Sequence, residues 1–228
     1  METNIACARQ LRAWGYARPV IAFKNVDHQP ADAVPYGDDI SFHCAIAAEV
    51  WQDRPTPFYI TNANVLCGGA LYSGIGNRPV SADEFDLGMS QTIGVSRGYE
   101  SRRQFRLVNQ QVPHTFVHRR YQIIGRLEEI AEPDLVMVVA SAYRIMRLCK
   151  AYTWKTGRLV QGLSGSAWCV CSFPHVLRER GISFATGDEQ SRILMGLDEG
   201  ELSCAIHWEA LSVVMENYPH IQTGLAVG

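Results

Sequence analysis

The sequence predicts an α/β or α+β protein, a single domain over residues 1–228 with a mixed β-sheet flanked by helices. Three observations point there. Short β-branched and aromatic runs such as "VIAFKNV" and "LVMVVAS" alternate with stretches of helical periodicity. The alternation is imperfect, which disfavours a strictly doubly wound parallel sheet. Hydrophobic residues make up 47% of the chain against 19% charged, enough apolar surface for a sizeable core.

An opening helix over 4–14 follows from Ile5, Ala8, Leu11 and Trp14 at helical spacing, with Gly15 as its stop. "RPVIAFKNV" (18–26), bounded by Pro19 and by the polar, proline-containing stretch 27–39, reads as a strand and then a loop. Ser41 is placed to cap a helix carrying Phe42, Ala45, Ile46, Glu49 and Val50, which must end before Pro55. "FYITN" is a second strand and delivers the chain into "NVLCGGALYSGIG" (64–76). Residues 82–111 are polar and read as mostly helical, interrupted by Gly88, Gly94 and Gly98. "PDLVMVVAS" has the length and apolarity of a strand buried in a sheet. A helix with Tyr143, Met146, Cys149 and Ala151 follows it and stops at Gly157. In "GLSGSAWCVC", Ser164 or Ser166 is placed to cap a helix running into Val176 and Leu177. "ISFAT" and "ELSCAIHW" are strands joined through "GDEQSRILMGLDEG", and 209–218 forms a last amphipathic helix stopped by Pro219. The order strand, helix, Gly-rich cysteine loop occurs near 20–76 and again near 135–171. That echo fits two loosely similar halves, or chance likeness between ordinary α/β units.

With 21 Lys and Arg against 23 Asp and Glu, the formal charge of −2 gives no global attraction to nucleic acid or an anionic membrane. No uninterrupted apolar run of about 18 residues occurs, nor an export-type apolar segment at the start, so no membrane association and a cytoplasmic location are expected. Seven cysteines in such a chain read as reduced. G-x-S-x-G, H-E-x-x-H and EF-hand patterns are absent, which removes the commonest hydrolase and metalloprotease readings.

No C-x-x-C pair is present, so a metal site must be assembled from distant cysteines: Cys44 on a helix, Cys67 on a glycine loop, Cys169 or Cys171 behind a second glycine loop, and Cys204 on a strand. Cys169 and Cys171 would face opposite ways on a helix, and Cys169 lies nearer the N-terminus, where a thiol is acidified. Taken singly, each thiol reads more readily as a small buried hydrophobe, so the group must be judged by spacing. Gly68 and Gly69 would let backbone approach a ligand. Gly165 and Ser166 at a helix start, with Arg192, suit a phosphate or carboxylate, although "GLSGSAW" lacks the lysine of a Walker loop and also fits a plain capped helix. His43 and His207, near Cys44 and Cys204, fit ligands or bases, but the sequence favours hydrogen-bonded or solvent-facing histidines for both. Arg97, Arg102, Arg103, Arg106, Arg119, Arg120 and Arg126 form a basic stretch that fits a solvated face, an anion site or a subunit contact, with too few aromatics to stack single-stranded nucleic acid.

"RPVIAFKN", "FHCAIAAEVW", "VLCGGALYSGIG", "EPDLVMVVASAYRIMRLCKAYTWKTG" and "GDEQSRILMGLDEGELSCAIHWEALSVVMENYP" together resemble the prokaryotic family catalogued as domain of unknown function 169, across residues 19–219. The resemblance implies a single-domain cytoplasmic protein with recurring cysteines, onto which Cys44, Cys67 and Cys169 fall. It implies no particular reaction. Members tend to carry a further cysteine where this chain reads Ala185-Thr186-Gly187. Either Cys204 supplies a fourth ligand, or three cysteines converge and leave an iron open to substrate, His43 or His207.

Three functions are therefore expected in order. The first is a metal-binding protein, in the form of an iron–sulfur cluster on Cys44, Cys67, Cys169 and Cys204, serving electron transfer or sulfur and one-carbon chemistry with a redox partner protein. The second is a metal-free module for a small anionic ligand, and the third an assembly protein docking through its arginines, compatible with a homo-oligomer. Nucleic acid is not an expected partner.

Overall fold

The computed structural model describes residues 2–52, 54–76 and 119–221, with isolated positions between 83 and 107. Eight strands form one mixed sheet: β1 (Ile21–Val26), β2 (Val34–Pro35), β3 (Phe58–Ile60), β4 (Tyr121–Arg126), β5 (Leu135–Ser141), β6 (Gln161–Leu163), β7 (Ile182–Ala185) and β8 (Glu201–His207). Their order across the sheet is β2-β3-β4-β1-β5-β8-β7-β6. Seven α-helices accompany them among the described residues: α1 (Glu2–Ala13), α2 (His43–Ala48), α3 (Gly69–Ser73), α4 (Ala142–Thr156), α5 (Trp168–Glu179), α6 (Glu189–Leu194) and α7 (Trp208–Asn217). The expected α/β architecture, a mixed sheet flanked by helices, is the one observed.

The strand order repeats itself. In the first half β1 pairs antiparallel with β4, β4 antiparallel with β3, and β3 parallel with β2. In the second, β5, β8, β7 and β6 pair in the same sequence of senses. The halves meet where β1 and β5 run antiparallel, with Ala22 opposite Val136. This arrangement has a two-fold axis at the β1–β5 seam.

Side-chain alternation along each strand divides the core into two layers. Ile21, Phe23, Leu135, Met137, Val139 and Ala205 face one layer, with residues of α2, α3 and α5. Ala22, Val136, Val138, Cys204 and Ile206 face the other, with α1, α4 and α7. Helix α4 illustrates the pattern: Ile145, Leu148, Ala151 and Tyr152 are buried at helical spacing, and Gly157 at φ 70° ends it in the left-handed region that glycine tolerates.

Several sequence expectations need correction. Neither Ser41 nor Ser164 or Ser166 caps a helix. The N-caps of α2 and α5 are Phe42 and Ala167, with no side-chain hydrogen bond. The Ser41 backbone instead bonds Asn64 and Leu66, tying the approach to α2 onto the cysteine loop. Strand β2 lies inside the stretch read as a loop, and β4 and β6 were not expected at all. The segment joining β7 to β8 contains α6, capped by Asp188. Residues 82–111 lie mostly outside the described residues, as does much of the arginine stretch. Arg119 within it pairs with Asp27. No helix among the described residues is long and apolar enough to cross a membrane.

Candidate functional site

Four helices of one layer, α2, α3, α5 and α6, bring their first turns around a cavity of about 60 Å³. Its lining includes Cys44, Cys67 and Cys169, with Gly68, Gly69, Ser166 and Asp188. Three cysteines distant in sequence are thus brought to one place. Cys44 comes from the first turn of α2, Cys67 from the loop before α3, and Cys169 from the first turn of α5. Two larger clefts, of about 350 and 460 Å³, contain no cysteine.

The surroundings favour the neutral form of the Cys44 and Cys169 thiols. Burial, then the neighbouring Cys67 sulfur, pushes the Cys44 thiol up to about 12. Cys169 is raised well above the ordinary thiol value by burial, with Cys67, Cys44, Cys171 and Asp188 adding in the same direction. Cys67 is the half-exposed member, and its sulfur lies 3.5 Å from the backbone N–H of His43 that points to it. Among the described residues, no lysine, arginine or histidine side chain lines the cavity.

Gly69 makes the close packing possible. A Cβ built there would lie 2.5 Å from His43 Cβ and 3.2 Å from Cys67 Sγ. His43 Cβ is fixed to the backbone of α2, so it cannot swing aside. Gly69→Ala is accordingly expected to destabilise the protein by about 1–3 kcal/mol through overpacking and to raise the rate of Cys67 alkylation, read by urea unfolding and by thiol labelling.

Behind the cavity, the His43 ring is fully buried. Its Nε2 lies 2.7 Å from Gln122 Oε1, and Gln122 in turn donates to Asn25 Oδ1 at 2.9 Å. Gln122 Oε1 can only accept, so His43 carries its proton on Nε2. The ring packs on Phe23 and Trp168, with centroids 5.9 and 5.8 Å away. His43 Nδ1 and Trp168 Nε1 are both buried without a hydrogen-bond partner among the described residues. Nothing in the sequence announced Gln122 or Asn25, two polar residues within strands.

The other expected site residues lie elsewhere. Cys204 is on β8 facing the opposite layer, beside Cys149, because strand alternation sends Cys204 and Ala205 to opposite sides. It therefore cannot be a fourth ligand. Cys171 turns away on α5, its thiol reaching the Ser166 carbonyl at 3.5 Å. His207 caps α7, with Nδ1 accepting the Glu209 N–H. Arg192 directs both terminal guanidinium nitrogens to the carbonyls of Thr186, Glu201, Asp198 and Glu199, and it is not part of the cavity wall. Gly165, at φ 95°, turns the chain before α5 and is not part of the cavity wall.

Three thiols and a carboxylate, without a competing cation, are the donor chemistry of a thiophilic ion. The side chains line the cavity without closing on one point: among the described residues no group of three or more His, Cys, Asp or Glu is arranged to hold an ion.

The fold and the cavity together define an α/β protein of two topologically matching halves with a thiol-lined pocket at their junction. Residues 12–217 match the DUF169 family, described as "Uncharacterised ArCR", and the chain belongs to it. No curated protein and no solved structure matches the chain.

Proposed function

We propose that the protein binds a thiophilic metal centre through Cys44, Cys67 and Cys169. The observation that carries the reading is the convergence of three cysteines, from three separate elements, on one small cavity without basic side chains. Buried thiols that oppose one another's ionisation are a setting that a bound cation reverses, since it favours thiolates. A zinc ion there would supply Lewis acidity, and an iron centre electron transfer. Gly68 and Gly69 let backbone approach the bound group, and Cys67, the half-exposed thiol, is where an ion enters from solvent. The anionic-ligand alternative finds less support, because Arg192 is spent on carbonyls and the wall carries a carboxylate.

Anaerobic purification followed by iron, zinc and acid-labile sulfide analysis tests the proposal. The wild type is expected to carry metal in near-stoichiometric amount, Cys67→Ser to lose most of it, and Cys7→Ser to retain it. Sulfide alongside iron would identify an iron–sulfur cluster, and metal without sulfide a mononuclear site. Equal content in the two variants would rule out the assignment.

A further inference from the structure

The formal charge of −2 conceals a local imbalance on the layer away from the cysteine cavity. Between Ala142 and Leu159 the chain carries Arg144, Arg147, Lys150, Lys155 and Arg158 and no acidic residue. This stretch is α4 and the turn that follows it. Helix α4 covers the layer that holds Val136 and Val138, whereas α2, α3 and α5 cover the other and bring the three cysteines there. Helix α7, packed beside α4, brings Glu209, which pairs with Arg180, and Glu216, so the α4 surface stays basic.

At 3.6 residues per turn, Tyr143, Met146, Arg147, Lys150 and Trp154 share an arc of about 100° and a length of about 16 Å, on the side of α4 opposite Ile145, Leu148 and Tyr152. Tyr143 is 59% exposed, Met146 46% and Trp154 61%, and Leu159 in the following turn is 87% exposed. The turn is tied to the helix: the Thr153 hydroxyl donates to the Arg158 carbonyl at 2.8 Å, and the Gly157 N–H to the Thr153 carbonyl at 2.8 Å. Arg147 is held over the Tyr218 ring, with Nε donating to the Tyr218 hydroxyl at 3.2 Å. Projecting apolar side chains and cations thus alternate along one firmly seated helix.

That alternation selects the partner. A protein interface gathers its apolar contacts at a centre depleted of charge, but here Lys150 stands between Met146 and Trp154. Single-stranded nucleic acid stacks on aromatic rings and has no use for Met146 and Leu159. An anionic lipid surface uses every member: Trp and Tyr rings lodge at headgroup level, aliphatic tips reach the acyl boundary, and Lys and Arg stems carry their charges out to the phosphates. We infer that α4 and its following turn form the docking face for an anionic phospholipid surface, on which the protein lies peripherally with its cysteine cavity turned away from the bilayer. The inference is independent of the metal-binding reading.

Co-sedimentation of the full chain with vesicles of phosphatidylcholine, alone or with about one third phosphatidylglycerol, tests it. Binding is expected on the anionic vesicles only, weakening as salt rises from about 0.1 to about 0.5 M, with a blue shift of tryptophan emission as Trp154 leaves water. Trp154→Ala and Lys150→Glu change exposed side chains and are expected to unfold as wild type does, yet to bind the vesicles roughly tenfold more weakly. Arg178→Glu, an equal change of charge on α5 in the opposite layer, is expected to bind within about twofold of wild type. Cys67 is expected to alkylate equally fast on and off the vesicles, and its protection by them would overturn the orientation. No binding of the wild type to anionic vesicles, or equal loss in Lys150→Glu and Arg178→Glu, would overturn the docking face. So would tighter binding to soluble polyglutamate or to an oligonucleotide than to vesicles, or a self-association abolished by Trp154→Ala, which would seat a second copy there.

Discussion

Trp168→Ala is expected to lower the free energy of unfolding by about 3–5 kcal/mol, the range for deleting a large buried aromatic side chain. Trp168 is 1% exposed. Its ring meets Phe173 edge-on at 4.8 Å and lies 6.2 Å from Phe23 and 5.8 Å from His43. Removing it opens a void beside the β1–β5 seam, one residue from Cys169. Trp168→Phe should cost much less, since it preserves most of the packing and deletes an indole N–H that has no partner. Urea unfolding at constant m-value reads both. An alanine variant within about 1 kcal/mol of wild type would contradict the packing described here.

Acid is expected to destabilise the protein before its carboxylates titrate. Burial lowers the pKa of His43 from 6.5 to about 4, against the opposing effect of the Gln122 hydrogen bond. The unfolded chain takes up a proton near pH 6.5 and the folded protein only near 4, so the unfolded state binds more protons within that window. Stability is therefore complete above about pH 6.5 and falls as the pH drops towards 4, by ~1.4 kcal/mol per pH unit and about 3 kcal/mol in all. His175 and His207 are also lowered by burial. They remain in a His43→Gln variant, so comparing the two proteins by urea titration isolates His43. A markedly shallower pH dependence is expected in the variant, and identical slopes would contradict a neutral, buried imidazole.

Elements built from long apolar stretches could be read directly. "LVMVVAS" could only be a buried strand, and β8 and α4 followed from alternation and helical spacing. Strands β2 and β6, of two and three residues, are too short to carry a periodicity. Strand β4 was hidden because its Gln122, a polar residue, is buried by pairing with His43 and Asn25. Serine caps failed at Ser41 because tertiary pairing with the cysteine loop claimed that backbone.

At the site, glycine beside cysteine was the informative signal. It led to Cys67, whereas Cys169 was singled out by its place near a helix start, Cys44 had no neighbouring glycine, and Cys204 proved to face the far layer. Alternation alone separates Cys204 from Ala205, yet which face carries the cavity depends on helices packing from both halves. Asp188 caps α6. Its place in the cavity wall depends on α6 packing against α2, a contact between the two halves.

X-ray absorption at the zinc edge of the zinc-loaded wild type bears most directly on the central claim. Three sulfur neighbours at about 2.3 Å, reduced to two in Cys67→Ser, are the predicted result. A first shell of nitrogen and oxygen alone, or failure of the folded protein to retain zinc, would contradict it.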